Sequence, residues 1–226
     1  MSELILHHYP NSPFAEKVRL ILGYKGLAWK SVFIPMIMPK PDLTALTGGY
    51  RKTPVLQIGA DIYCDTALIC DVLEHLAPTP TLYPEAVKGA ARIVAQWADS
   101  ALFTAAMAYN FQPAGVAQVF AGAPAEGVQA FVADRAAMRG GAARMSSTDA
   151  AATYKSYLRR IASMLHGQDF LFGVQPCVAD FAVYHPLWFT QERTPALAGI
   201  FDATPEVKTW MARMQAIGHG TPGKCS

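Results

Sequence analysis

The sequence predicts a chain of two domains, an α/β domain followed by an all-helical domain. Residues 4–34 contain a strand, a helix and a second strand, in that order. A hairpin pattern and another helix follow Pro54, and beyond a proline-rich stretch only helical patterns remain. These observations place the α/β domain at residues 1–77, a linker at 78–84 and the helical domain at 85–226.

The first strand–helix–strand unit follows from a change of hydrophobic period. Residues 4–6 form a short apolar run typical of a buried strand, and the loop after it holds two prolines. From Phe14 the apolar residues share one helical face, and Pro13 stands at the first helical position, where its missing N–H costs little. Residues 28–34 predict a second strand. Such a unit joins parallel strands through a right-handed crossover.

The rest of the first domain has the pattern of a hairpin and a second helix. Three prolines at residues 35–41 predict an irregular connection. Two apolar runs, at 55–58 and 62–64, flank a small turn as in a β-hairpin. Asp65 and Thr66 are good N-cap residues for the helix that follows. The domain therefore has the order β-α-β, a connection, then β-β-α.

Helical patterns account for the second domain. Residues 85–111 and 149–166 have helical periodicity, and residues 177–189 are apolar on nearly every side, as in a buried helix. Residues 207–214 form a last amphipathic face. The tail from Gly218 is expected to be frayed.

Composition and net charge indicate which kinds of partner the protein is expected to lack. Hydrophobic residues make up 52% of the chain and charged residues 16%, as in a folded globular protein. The formal net charge of +2 favours neither nucleic acid nor an anionic membrane as a partner. We expect no membrane span and no signal peptide. The four cysteines and the His7-His8 pair lack metal-ligand spacing, so we expect no metal and reduced thiols in the cytoplasm.

Ser12 lies where the first strand meets the first helix. The N–H groups of a helix converge at such a junction and favour an anion, for example a thiolate, beside the serine hydroxyl. A hydroxyl there can donate a hydrogen bond to the thiolate and lower its pKa. Taken alone, serine at this position is more often a plain helix cap. Tyr9, in the same loop, is a second candidate hydroxyl.

Two further positions could contact the same ligand. A cis Thr53–Pro54 bond would turn the Thr53 backbone outward to pair with a peptide-like ligand, although a proline that merely starts a strand is the simpler interpretation. The Thr66 hydroxyl and nearby helix N–H groups could hold a carboxylate, and Asp65 an ammonium group, although a plain N-cap is again simpler. With Ser12, these positions describe a ligand that has a thiol, a peptide-like middle and an amino acid head. Glutathione has that shape.

The order and spacing of three motifs, Ser12-Pro13-Phe14, Thr53-Pro54-Val55 and Asp65-Thr66, resemble the N-terminal domain of cytosolic glutathione transferases. The helical remainder also fits this family, so the resemblance covers nearly the whole chain. It implies a thioredoxin-like first domain and glutathione as the co-substrate. Within the family, Ser12 matches the position of the catalytic serine in the theta- and zeta-like classes. The omega class has cysteine at that position. The run at residues 46–52 resembles a bacterial and fungal subgroup.

The resemblance assigns roles to individual residues. Ser12 would activate the thiol, with Tyr9 as the runner-up. The residues that would bind glutathione are Lys52 at its glycyl end, Thr53 and Pro54 at its middle, and Asp65 and Thr66 at its γ-glutamyl end. The residues that would line a hydrophobic second-substrate site are Phe14, Met36, Tyr109 and Phe111.

The sequence departs from the family pattern at two places. Family members often have Glu-Ser where this chain has Asp65-Thr66, a change that keeps one acid and one hydroxyl. Cys177 stands where the capping box of the second domain normally has serine or threonine. Asp180 is still expected to accept a hydrogen bond from the Cys177 backbone N–H, in a structural rather than a catalytic role.

The implied activity is conjugation of glutathione to a hydrophobic electrophile, as in detoxification, by a cytoplasmic homodimer. A non-catalytic carrier of hydrophobic ligands would have the same motifs. A glutathione-dependent isomerase or dehalogenase would start from the same thiolate. Thiol–disulfide exchange is disfavoured, because position 12 is not cysteine and the chain has no CxxC pair.

Overall fold

The computed structural model describes residues 3–140, 142 and 145–224. Within these residues, five strands form one mixed sheet. The strands are β1 (Leu4–His8), β2 (Trp29–Phe33), β3 (Val55–Ile58), β4 (Asp61–Cys64) and β5 (Pro222–Lys224). Their order across the sheet is β4-β3-β1-β2-β5. Strand β2 is parallel to β1 and β5, whereas β3 is antiparallel to β1 and β4. The predicted strand–helix–strand unit and hairpin are therefore confirmed.

Helices make up most of the remaining described chain. The sheet-bearing part holds α1 (Pro13–Tyr24), α2 (Pro41–Thr47) and α3 (Thr66–Leu76). The helical part contains the α-helices α4 (Lys88–Trp97), α5 (Phe103–Asn110), α6 (Pro113–Val119), α7 (Ala125–Arg139), α8 (Ser147–Met164), α9 (Val178–Arg193) and α10 (Pro205–Ile217). A 3₁₀ turn (Glu85–Val87) precedes α4, a π-helical segment (Ala98–Leu102) joins α4 to α5, and a 3₁₀ segment (Pro195–Phe201) lies between α9 and α10. The chain thus has a thioredoxin-like N-terminal domain followed by a helical domain, as the sequence predicts.

Helix α9 connects the two parts of the structure. Every residue from Val178 to Thr190 is buried, which confirms the expectation of a helix that is apolar all round. It packs against α1 and α4. The expected bond from the Cys177 backbone N–H to the Asp180 carboxylate is present at 2.9 Å. Helix α1, whose N-terminus is capped by Ser12, is therefore packed against the core of the helical domain.

The C-terminal tail differs from expectation. Instead of fraying, it turns at Gly218 and Gly220, both at positive φ, and adds β5 to the open edge of β2. The Trp29 indole donates to the His219 carbonyl at 3.0 Å, and a Cβ on Gly23 would lie 2.1 Å from the Gly218 oxygen. Pairing of β5 depends on backbone groups and glycine contacts, so its sequence has no alternating apolar pattern. The segment predicted as all-helical thus ends in a strand of the first sheet.

Candidate functional site

Two hydroxyls meet at the N-terminus of α1. The Ser12 side chain is 2% exposed and its Oγ caps the helix, accepting from the Ala15 N–H at 3.2 Å. The Ser12 backbone N–H donates to the Tyr9 carbonyl at 3.1 Å, and the half-buried Tyr9 side chain lies close to that of Ser12. Burial raises the pKa of Tyr9 above its usual value, although the nearby serine lowers it in part, so its hydroxyl keeps its proton at neutral pH. Both candidate thiol-activating groups therefore lie together as one pair of donors.

Lys40 is a buried cation beside this pair that the sequence reasoning missed. It is 3% exposed, and its Nζ donates to the Thr53 hydroxyl and the Arg51 carbonyl, both at 3.3 Å. Its ammonium lies 5.7 Å from the centre of the Tyr9 ring. The side chain of Lys52, the predicted basic contact, is exposed. The sequence signal that could have drawn attention to Lys40 is its position between two prolines, Pro39 and Pro41.

Burial and two cations lower the pKa of Lys40 to about 8. Desolvation is the largest cause, and repulsion from Arg135 and Arg51 adds to it. The ammonium is thus held close to other positive groups with little water around it. An anionic ligand that reached Lys40 would relieve that repulsion and raise the pKa again.

The Thr53–Pro54 bond is cis, the form that the sequence analysis considered. Pro54 is buried and Thr53 lies immediately before β3, which pairs with β1 on one side and β4 on the other. Contact between the Thr53 backbone and a ligand remains a prediction.

Asp65 and Thr66 begin α3, as predicted. Asp65 is exposed, caps the helix through a 2.8 Å bond from the Ala67 N–H, and has φ 76°, a left-handed value unusual for a residue other than glycine. Such outliers concentrate at ligand sites. The Thr66 hydroxyl is buried and accepts from the Lys17 ammonium at 3.3 Å, so its own proton is free to be donated elsewhere.

Lys17 ties Thr66 to the helical domain through a buried charge network. Its Nζ lies 2.6 Å from Asp99, whose second oxygen is 2.9 Å from Nε2 of His185. Burial opposes the charged forms of Lys17 and Asp99, yet the pKa of Asp99 is lowered because Lys17 and His185 outweigh the desolvation. Burial also lowers the pKa of His185, which keeps the ring neutral and able to donate from Nε2.

Helix α7 brings a second charged group to the Tyr9 side of the site. Asp134 forms ion pairs with Arg51 and Arg135 and accepts from the Met38 backbone N–H at 3.1 Å. Arg135 donates to the Tyr9 hydroxyl at 3.3 Å. Neither residue of α7 was predicted, because each is more than eighty residues away along the chain from the groups of the first domain that it contacts.

The four residues predicted to line the hydrophobic second-substrate site lie in different surroundings. Phe14 packs on Phe103 and His185, with ring centres 4.7 and 4.6 Å apart. Phe111 stacks on Phe131 of α7, whose ring lies 4.6 Å below the Arg135 guanidinium. The Met36 carbonyl accepts from Arg135, and its side chain is partly exposed. Tyr109 instead donates to the Leu197 carbonyl and contacts Tyr154 within the helical domain.

Among the described residues, no cluster of three or more His, Cys, Asp or Glu side chains could hold a metal ion. No helix in the described ranges is both long and apolar enough to cross a membrane. Cys64, Cys70 and Cys177 are free, and burial raises the pKa of Cys70 to about 11.

The fold and the candidate site define a class of protein, in which a thioredoxin-fold domain with hydroxyl and cationic side chains near the start of its first helix is joined to a helical domain. The family models for the glutathione S-transferase N-terminal and C-terminal domains match residues 6–81 and 146–217. A GST-like protein from Pseudomonas syringae is 48% identical, with a TM-score of 0.78, over 100% of this chain and 71% of that one. The chain belongs to the glutathione S-transferase family.

Two further proteins are similar to this chain, one in fold and one over part of the sequence. A glutathione S-transferase from Rhodospirillum rubrum F11 shares the fold, with a TM-score of 0.69 and 20% identity over 96% of this chain and 90% of that one. Pyrimidodiazepine synthase from Drosophila melanogaster is 32% identical over 76 residues. That match spans 32% of this chain and 31% of the relative, so it covers less than a third of each.

Proposed function

We propose that the protein binds glutathione and conjugates it, through its sulfur, to a hydrophobic electrophile. One observation carries the proposal. The Ser12–Tyr9 hydroxyl pair lies at the N-terminus of α1, Lys40 contacts Tyr9 and Thr53 on one side, and Thr66 begins a second helix. Family membership supplies the ligand class, and these groups supply complementary partners for each part of that ligand.

The charges suggest how glutathione lies in the site. The γ-glutamyl carboxylate faces the Thr66 hydroxyl and the N-terminus of α3, where Lys17 adds positive charge, and Asp65 faces the ammonium group. The cysteinyl backbone pairs with Thr53. In this proposal the glycyl carboxylate binds Lys40, which takes the place of the exposed Lys52.

The proposed chemistry begins at the thiol. A free cysteine thiol has a pKa near 8.5, so little is ionised at neutral pH. Hydrogen bonds from Tyr9 and Ser12 and the dipole of α1 stabilise the thiolate, while the thiol proton leaves to solvent. The sulfur then forms a bond to an electrophilic carbon, and the leaving group departs with its electron pair. The Phe111–Phe131 stack and Phe14 offer apolar surface for the electrophile.

Removing the hydroxyl pair tests the proposed chemistry. Ser12→Ala and Tyr9→Phe should each lower kcat/KM for an activated aryl halide by about tenfold or more, since a hydrogen bond to a charged group contributes about 1.5–3 kcal/mol. Binding of S-methylglutathione, which has no thiol to ionise, should change little. Undiminished conjugation by the double variant would contradict the proposal. Tight binding with no turnover by the unaltered protein would instead identify a carrier.

The low pKa of Lys40 predicts a pH-dependent affinity. If Lys40 binds the glycyl carboxylate only when protonated, affinity is complete below its pKa of about 8 and is lost as pH rises through it. The affinity for S-methylglutathione should therefore fall about tenfold between about pH 7 and pH 9. Lys40→Arg keeps its charge over this range, so its affinity should depend much less on pH. Equal pH dependence in the two proteins would exclude this role for Lys40.

A homodimer is part of the proposal. Leu68 of α3 and Ile93 of α4 are 48% and 70% exposed, and the Arg92–Asp71 ion pair joins the same two helices. An apolar surface on two adjacent helices is suited to burial against a second copy of the chain.

A further inference from the structure

Arg135 is the one group of the helical domain that reaches the proposed thiol-activating pair among the contacts of the described residues. Its Nη2 donates to the Tyr9 hydroxyl oxygen at 3.3 Å and to the Met36 carbonyl at 3.0 Å. Tyr9 in turn accepts the Ser12 backbone N–H at its carbonyl, at 3.1 Å. Arg135, Tyr9 and Ser12 therefore form a chain of contacts that runs from α7 to the N-terminus of α1, and we call it the arginine relay.

The direction of the hydrogen bonds gives the relay a chemical consequence. A guanidinium is donor-only, so the Tyr9 oxygen must be the acceptor in its bond with Arg135. The hydroxyl proton of Tyr9 then points away from Arg135, toward Ser12 or toward a ligand beside it. Hydrogen bonds in a chain polarise one another, and a charged donor strengthens the effect. Tyr9 is thus a stronger donor with Arg135 in place than without it.

Several contacts hold Arg135 in that position. Its guanidinium packs over the Phe131 ring at 4.6 Å and is paired with Asp134, whose side chain is 7% exposed. Asp134 is itself bonded to Arg51 and to the Met38 backbone, so α7 is attached to the proline-rich loop of the first domain. The arginine is therefore held in place before any ligand arrives.

The local charge also matches the proposed ligand. Lys40, Arg51 and Arg135 are three cations that surround one carboxylate, Asp134, which leaves an excess of two positive charges. Bound glutathione in its thiolate form brings two negative groups to this side of the site, the glycyl carboxylate and the sulfur. Lys40 is assigned to the glycyl carboxylate because its ammonium donates to the Thr53 hydroxyl and the Arg51 carbonyl, and Arg135 is assigned to the sulfur because it donates to Tyr9.

We propose that Arg135 is a positioning residue for the reacting sulfur, which directs the Tyr9 proton toward the thiolate and adds positive charge from the helical domain. This inference rests on the proposed function, since it requires glutathione in the site. The thiol proton leaves to solvent and not to Tyr9, whose hydroxyl already carries its own proton.

The test compares Arg135→Met, Arg135→Lys and Tyr9→Phe with Arg139→Leu, a change to an exposed arginine on the same helix. The readouts are the pKa of the bound glutathione thiol, followed by the ultraviolet absorbance of the thiolate, and the affinity for S-methylglutathione. Arg135→Met should raise the thiol pKa by about one unit, which lowers the ionised fraction about tenfold near neutral pH. Affinity for S-methylglutathione should stay within about twofold, Arg135→Lys should recover part of the shift, and Arg139→Leu should match the unaltered protein.

A double variant separates the relay from a general charge effect. In Arg135→Met with Tyr9→Phe, the shift of the thiol pKa should be smaller than the sum of the two single shifts, because both changes interrupt one chain. Additive shifts, or a thiol pKa in Arg135→Met equal to that in Arg139→Leu, would overturn the relay while leaving glutathione binding in place. Absence of S-methylglutathione binding by the unaltered protein would overturn both the relay and the proposed function.

Discussion

Replacing Asp99 with alanine should lower the free energy of unfolding by about 3–5 kcal/mol, the usual cost of leaving one partner of a buried ion pair without the other. The Lys17 side chain is 1% exposed, and Asp99 is its carboxylate partner at 2.6 Å. Without Asp99, the ammonium of Lys17 would keep only the Thr66 hydroxyl and would lose charge compensation. Urea unfolding at neutral pH measures the change, provided that the transition is two-state.

Two matched variants make the Asp99 experiment specific. Replacing both partners, with Lys17→Met and Asp99→Leu, should recover most of the loss because no unpaired charge stays buried. Asp202→Ala removes the same kind of pair at an exposed site, with Lys208, and should cost no more than about 1 kcal/mol. If Asp99→Ala is no more destabilising than Asp202→Ala, the buried network does not contribute as inferred. Weaker binding of S-methylglutathione by Lys17→Met would connect the network to Thr66.

The second large effect is expected at Asp180, where alanine should destabilise the protein by about 4 kcal/mol. The Asp180 side chain is fully buried and accepts three bonds of 2.9 Å, from the N–H groups of Leu171 and Cys177 and from the Trp210 indole. Each donor left buried without an acceptor costs about 1–3 kcal/mol. The three bonds join the start of α9, the loop before it and α10.

Two further variants isolate the loss of acceptors at Asp180. Asp180→Asn keeps the shape of the side chain but replaces one acceptor with a donor, so it should fall between alanine and the unaltered protein. Asp202→Ala, which breaks an exposed pair with Lys208, should be nearly neutral. Urea unfolding midpoints at neutral pH are the measurement. A loss below about 1 kcal/mol in Asp180→Ala would mean that the three bonds are not what holds α9 and α10 together.

The local parts of the site could be predicted from the sequence, because each is encoded by neighbouring residues. Ser12 caps α1 and Asp65 caps α3, and both roles follow from residue type and from the position at the start of an apolar helical pattern. The Thr53–Pro54 motif likewise lies just before its strand. What these local signals could not decide is which of two hydroxyls, Ser12 or Tyr9, lies nearest the ligand sulfur.

The missed groups are those that reach the site through tertiary contacts. Asp99 lies 82 residues from Lys17, and Arg135 lies 126 residues from Tyr9, so no spacing rule connects them. A charged residue on an amphipathic helix normally faces solvent, and Lys17 within α1 gave no sign that it is buried. The β5 strand was missed for a related reason, since its pairing depends on backbone groups at the edge of β2 rather than on side-chain pattern.

The measurement that tests the central claim most directly is a pH titration of glutathione bound to the unaltered protein, followed by thiolate absorbance with free glutathione as the reference. If Tyr9, Ser12 and the N-terminus of α1 stabilise the sulfur anion, the bound thiol should titrate about one to two pKa units below the free thiol. Glutathione that binds but titrates like the free thiol, or that does not bind at all, would contradict the account.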